Sequence, residues 1–415
     1  MTFIIFWISI IKKMKKKFSY SLLENAFSKK DLEIGLSVVK SGQITMASNT
    51  LNFEKNFAKK NKSNYALMVN SGSSANLLSV AAACNPMRKF HLKKNDEVLI
   101  PAVCWSTSLW PLVQYGLKPI FVDIDLSTLN ININDLISKI TKKTKAIMCV
   151  HILGLSSNMR KIKKICKEKK LILFEDTCES LGAKYDKINL GNYGDFGTYS
   201  FYYSHQITSG EGGMIVCKSK KDYNILKSLR SHGWSRGTDF HKQFKAKYKK
   251  LDEKFLFINS GYNLRPLDIS AAIGNNQYKR LSKFIQIRDK NRSLIINKIK
   301  SNKRWKHQFN FCKVEKKMDP SWFGLPILIS EKLKINRKKF TRYLDKSGIE
   351  NRPIVSGNFL NQPASKLYKL KSKDSLKNSQ IVEQNGFFIG LHTKKLANDR
   401  ANYIVEKLLD IDFIK

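Results

Sequence analysis

Between about residues 64 and 217 the chain alternates two patterns: short runs that are apolar throughout, and longer stretches in which apolar residues recur three and four positions apart. The first pattern predicts buried strands over 97–100, 120–123, 146–150, 171–174, 197–201 and 214–217. The second predicts helices over 75–84, 110–115, 133–140 and 159–169. Continuously apolar strands separated by helices fit a mostly parallel central sheet with helices on both faces, which holds ligands at the carboxyl ends of its strands. A lysine-rich stretch over 237–254 follows, and Ser260-Gly261-Tyr262-Asn263-Leu264-Arg265-Pro266 then leads into a helical pattern reaching about Arg292. The remainder mixes a strand over 322–329 with a helix over 335–347. The expected architecture is α/β: an N-terminal extension over 1–20, a large domain over 21–278 and a smaller C-terminal α+β domain over 279–415.

Composition narrows the function classes. With 415 residues, 42% of them hydrophobic and 11% aromatic, the chain can bury a large core and is not disordered. The formal charge of +42 invites a nucleic-acid reading, but the lysines are spread along the whole chain without a basic block or a nucleic-acid motif. No nucleic-acid partner is therefore expected, although the field would attract a phosphorylated substrate. The seven cysteines are scattered, with no C-x-x-C pair, and read as reduced thiols of a cytoplasmic protein without a metal site. The opening MTFIIFWISIIKKMKKKF carries an apolar run of about ten residues, too short to span a bilayer and lacking the layout of a secretory signal.

Four places carry chemistry. Ser71-Gly72-Ser73-Ser74-Ala75-Asn76 opens an Ala/Leu-rich helix, where small residues and free backbone amides suit a phosphate, or simply a capped tight turn. Trp105 follows a strand and offers a flat face for a planar ring; a core tryptophan is the plainer reading. Asp176 follows another strand and can pair with a protonated pyridine nitrogen, or cap a helix, with Glu179 three residues on. His205 precedes Gly210-Glu211-Gly212-Gly213 within Ser200-Phe201-Tyr202-Tyr203-Ser204-His205, and is either a proton carrier or an ordinary structural histidine.

Taken together and in this order, these segments resemble the DegT/DnrJ/EryC1/StrS group of sugar aminotransferases, which are fold-type-I pyridoxal-phosphate (PLP) enzymes. The resemblance runs from about Leu32 to the C-terminus and includes His232-Gly233-Trp234, Gly261-Tyr262-Asn263, Ser321-Trp322-Phe323-Gly324 and Arg352-Pro353-Ile354-Val355. It implies a homodimer with shared active sites. Gly72 and Ser73 would hold the cofactor phosphate, Trp105 would stack on the ring, Asp176 would pair with its nitrogen, and Glu179 and Ser200 would be further cofactor contacts. Asn263 would reach the phosphate in the neighbouring subunit. Thr45, Met46, His232, Arg236, Glu350 and Arg352 would contact the substrate.

In the aminotransferases of this group a lysine stands where this chain has His205. A lysine amine can link covalently to the cofactor, whereas an imidazole cannot but can move protons. The resemblance therefore implies a dehydratase with His205 as its catalytic residue. Non-covalently held PLP or pyridoxamine phosphate (PMP) would serve as cofactor and glutamate as amino donor, and the C3 hydroxyl of a nucleotide-linked 4-keto-6-deoxyhexose would be removed. The product, a 3,6-dideoxy-4-keto sugar, suits surface-polysaccharide (O-antigen) biosynthesis. A related dehydratase group depends on an iron–sulfur cluster and a reductase. Its clustered cysteines are missing here, so no such partner is expected. An aminotransferase with another lysine recruited, Lys184 or Lys218, and an inactive regulatory protein on the same scaffold are the alternatives. The chain departs from the family pattern at Thr45-Met46-Ala47-Ser48-Asn49, and Gln206 follows His205 where a second histidine is common.

Overall fold

The computed structural model describes residues 18–24, 26–372 and 374–414, so the apolar run near the start lies outside the described residues. The described chain contains strands β1 (Tyr65–Val69), β2 (Glu97–Pro101), β3 (Lys118–Val122), β4 (Thr144–Val150), β5 (Ile172–Asp176), β6 (Lys184–Tyr185), β7 (Ile188–Asn189), β8 (Phe196–Ser200) and β9 (Gly213–Cys217). Seven of these form one sheet in the order β1-β9-β8-β5-β4-β2-β3. All its pairings are parallel except those of β9, which runs antiparallel to both β1 and β8. Strands β2, β8 and β9 are buried along their whole length, as the unbroken apolar runs require of a sheet covered on two sides.

The six expected strands of this sheet are present, and β1 is an edge strand that the pattern had not singled out. Helix Met159–Lys169 has the expected bounds because Asn158 caps it and Lys170 ends it in the left-handed region. Helix Ser106–Gln114 begins four residues before the expected start at 110. Pro111 reads as a first-turn proline, yet it sits inside this helix, which packs on helix Gly72–Ala83. The stretch 237–254 forms a short helix, His241–Lys247, with no buried residue.

Beyond helices Asp268–Lys279 and Leu281–Lys300, strands β10 (Phe309–Phe311), β12 (Gly324–Ile329), β13 (Asn351–Pro353) and β14 (Gly386–Gly390) make a second, antiparallel sheet in the order β10-β12-β14-β13. Strand β11 (Met318–Asp319) pairs instead with β6, next to β7, and ties the C-terminal region to the large one. The described start of the chain joins this C-terminal region. Tyr20 is fully buried, donates from its hydroxyl to the carbonyl of Gly390 at 2.9 Å and stacks on His392.

The reversed strand β9 shapes the site. Its N-terminal end lies beside the carboxyl ends of β8 and the other parallel strands, so Gly213 abuts the turn at Ser71. A side chain at 213 would put its Cβ 2.3 Å from the Ser71 carbonyl oxygen.

Candidate active site

A cavity of about 680 Å³ opens at the carboxyl ends of the parallel strands. It is lined by Gly72, Ser73, Trp105, Asp176, Glu179, Ser200, His205, Glu350 and Arg352 among others, so nine of the fourteen residues singled out from sequence meet there. The other five, Thr45, Met46, His232, Arg236 and Asn263, do not line it.

Ser71 caps helix Gly72–Ala83 through a bond from the Ser74 amide, and Gly72 and Ser73 of its first turn line the cavity. The Ser73 hydroxyl donates to Thr107 Oγ1 at 3.0 Å. Gly72 is required here by close approach, since a Cβ at that position would lie 2.5 Å from Ser200 Cβ. A helix N-terminus cleared of side chains and ringed by hydroxyls is built to receive a phosphate.

Asp176 ends β5 and is buried. Its Oδ2 accepts bonds from Asn76 Nδ2 at 2.7 Å and Ser108 Oγ at 2.6 Å, and its Oδ1 accepts from the Cys178 amide at 3.1 Å. Thr198 donates to Asn76 Oδ1 at 2.6 Å, which turns the Asn76 amide nitrogen toward the carboxyl. Trp105 is no core residue: it is 58% exposed and stands at the cavity wall. His151, buried and also at the wall, bonds through Nε2 to Glu175 at 3.2 Å.

The imidazole of His205 is half-buried, with Nδ1 2.6 Å from the carbonyl oxygen of Cys178. A carbonyl can only accept, so Nδ1 carries the proton and the neutral ring keeps its lone pair on Nε2. Burial pushes the imidazole down to about 4, against the opposing pull of the Cys178 carbonyl and Asp176, with the Arg288 charge adding to the fall. Burial likewise pushes the Glu179 carboxyl up to about 7, against a bond from the Leu153 amide at 3.0 Å. Phe323 packs edge-on to the His205 ring, and Gln206 donates to the Glu179 carbonyl.

The cavity wall among the described residues includes no lysine. Lys184 is exposed on β6, and Lys218 donates its ammonium to the Tyr193 carbonyl at 2.7 Å; neither lines the cavity. Arg352 pairs with Glu350 at 2.6 Å, and the second Glu350 oxygen accepts the Leu22 amide at 2.9 Å. Leu22 and Leu23 form part of the wall.

The five residues outside the cavity group elsewhere. Arg236 lies over the Trp234 ring at 4.1 Å, His232 packs edge-on to it at 4.9 Å, and Asn263 bridges to Ser231. Thr45 bridges to Leu267, which is 51% exposed, and Met46 is half-buried beside it.

The fold and this cavity define a fold-type-I, PLP-enzyme architecture. The model of the DegT/DnrJ/EryC1/StrS aminotransferase family matches residues 27–409, and the chain belongs to that family. It is 40% identical over 396 residues to the GDP-4-keto-6-deoxy-D-mannose 3-dehydratase of Escherichia coli O55:H7, covering 94% of this chain and 99% of the relative. It is 38% identical over 387 residues to the enzyme of the same name from Yersinia pseudotuberculosis, covering 92% and 97%. Among solved structures, an E. coli GDP-4-keto-6-deoxy-D-mannose 3-dehydratase with bound hydrated PLP superposes with a TM-score of 0.87 at 38% identity, covering 94% of this chain and 99% of that one.

Sequence reasoning missed Asn76, Ser108, His151 and Arg288. Asn76 lay within the phosphate-loop segment, but nothing in sequence shows an amide reaching a carboxyl 100 positions away.

Proposed function

We propose that this chain is a PLP/PMP-dependent dehydratase that removes the C3 hydroxyl of a nucleotide-linked 4-keto-6-deoxyhexose, giving a 3,6-dideoxy-4-keto sugar for surface-polysaccharide synthesis, with glutamate as amino donor. The observation that carries this reading is the His205 imidazole, its Nε2 unprotonated, on a cavity wall without lysine.

The residues present fit the cofactor. Gly72 and Ser73 offer a phosphate seat to which Gly72 brings no Cβ, Trp105 offers an exposed indole, and Asp176 presents a carboxyl oriented by three donors. Ser200 and Glu179 complete the binding wall. When bound, the cofactor supplies an amine able to condense with a sugar ketone and a ring that withdraws electrons. His205 then takes a proton at Nε2 while Cys178 holds Nδ1 in place. Because the site disfavours the imidazolium, the proton is readily handed on, and His205 can return it to the departing C3 oxygen. Overall the sugar loses one oxygen, glutamate becomes 2-oxoglutarate and ammonia is released.

Glu350 and Arg352 line the cavity, and a guanidinium suits a diphosphate, which supports a role for them in binding the sugar nucleotide. Thr45, Met46, His232, Arg236 and Asn263 lie outside this cavity, which supports a homodimer in which they serve the site of the partner subunit. The exposed apolar Leu267 and Phe257 support a covered surface in that region. Among the described residues no helix is long and apolar enough to cross a membrane, and the reading places the enzyme in the cytoplasm, where sugar nucleotides and glutamate are at hand.

The test is incubation with GDP-, CDP- and UDP-linked 4-keto-6-deoxyhexoses, glutamate and PLP, followed by product mass and ammonia release. Loss of one oxygen from a sugar, dependent on glutamate, is the expected result. Transfer of an amino group to the sugar would instead reveal an aminotransferase, and no turnover of any kind would support an inactive protein.

A further inference from the structure

Arg288, in helix Leu281–Lys300, is 2% exposed, and no carboxylate lies within ion-pair distance of it among the described residues. A buried cation without a counter-ion is costly unless hydrogen bonds replace its water shell. Here the guanidinium fans out over three main-chain carbonyls. Nε donates to Leu391 at 2.9 Å, Nη1 to Trp322 at 3.4 Å and Nη2 to His205 at 3.4 Å. Two of these acceptors belong to the C-terminal region, just before β12 and just after β14; the third is the main chain of the proton carrier itself.

We propose that Arg288 is a positioning residue for His205: it ties the His205 backbone to the C-terminal sheet and brings to that residue a positive charge that no carboxylate offsets. The proposal rests on the reading of His205 as the proton carrier. Two contacts then fix this residue from opposite sides, the Cys178 carbonyl at the ring and Arg288 at the main chain. The charged or titratable groups around the imidazole are Asp176, Cys178 and Glu179 from β5 and the turn after it, Tyr202 from its own loop, and Arg288 from the helix. Around Arg288 itself the titratable neighbour besides His205 is Tyr20, from the start of the described chain. Of these, Arg288 supplies the positive charge. It opposes Asp176, which favours the imidazolium, and adds to the larger effect of burial.

The experiment compares wild type, Arg288→Lys, Arg288→Met and His205→Asn. In cofactor-free protein carrying labelled histidine, NMR follows the His205 ring, assigned by its loss in His205→Asn. In Arg288→Met the His205 titration should move to higher pH. In Arg288→Lys, which keeps the charge but cannot span three carbonyls, it should stay near the wild-type position while kcat falls on the order of 10- to 100-fold at little-changed KM. If Arg288→Met does not fold, Arg288→Lys decides by its kcat-against-KM split. Unchanged titration in Arg288→Met, or unchanged kcat in Arg288→Lys, overturns the proposal. Full dehydration by His205→Asn would overturn the functional reading instead.

Discussion

Asn76 donates to the Asp176 carboxyl at 2.7 Å and is itself held by Thr198, so the orientation of the deepest acidic group in the cavity is set by an amide with no rotational choice. Replacing Asn76 with leucine leaves Asp176 short of a donor and Thr198 with only the Glu175 carbonyl, at 3.4 Å, as acceptor. Lost buried hydrogen bonds of this kind cost about 1–3 kcal/mol. PLP affinity, measured by equilibrium dialysis and cofactor absorbance, should fall roughly 10- to 100-fold. Unaltered affinity would remove Asp176 from the cofactor site.

His205→Lys should abolish dehydration and create a covalent link to PLP that borohydride fixes and mass spectrometry locates at residue 205. The wild type should yield no such adduct at any cavity residue, because no lysine lines the wall among the described residues. It should also lose cofactor on prolonged dialysis. Dehydration undiminished by the swap would refute the role given to His205.

Gly72→Ala tests the phosphate seat. The new methyl would lie 2.5 Å from Ser200 Cβ, a contact the backbone can relieve only by shifting. Overpacking of this kind costs about 1–3 kcal/mol. The melting temperature should fall, and PLP retention should fall with it. The double variant Gly72→Ala/Ser200→Gly should recover part of the melting temperature but not of PLP retention, since Ser200 belongs to the binding wall.

Two groups in the cavity give stability opposite pH dependences. His205 titrates at about 4 in the folded chain against an ordinary 6.5, so the unfolded chain binds its proton first as pH falls. Its contribution is complete above 6.5 and is lost as pH drops toward 4. Glu179 titrates at about 7 against an ordinary 4.5, so the folded chain holds its proton longer, and stability is lost as pH rises from 4.5 through 7. In cofactor-free protein, Glu179→Gln should therefore raise the melting temperature at pH 8 relative to pH 4.5. His205→Asn should flatten the decline between pH 6.5 and 4. Thermal melts across pH check both signs.

Much of the sheet was legible because its strands are apolar on both faces and its helices carry their own caps, as Asn158 and Lys170 do for Met159–Lys169. Strand β1 was not singled out, although Tyr65–Val69 is as apolar and as long as the edge strand β3 that was. The start of helix Ser106–Gln114 was misplaced because Pro111 mimics a helix beginning. Gly72 and Asp176 stood out from turn chemistry and a strand end, and His205 from its place ahead of Gly210-Glu211-Gly212-Gly213, where the resembling aminotransferases carry a lysine. Arg288 was not: an arginine in an amphipathic helix reads as solvated, and only the fold buries it against three carbonyls.

The antiparallel course of β9 carries a lesson about motifs. Gly213 is bare because the neighbouring turn leaves no room for a methyl group, which is a demand of geometry indifferent to the reaction being run. The glycine at 213 therefore records the shape of the sheet, and the reaction proposed for this frame is decided instead by the side chain at 205.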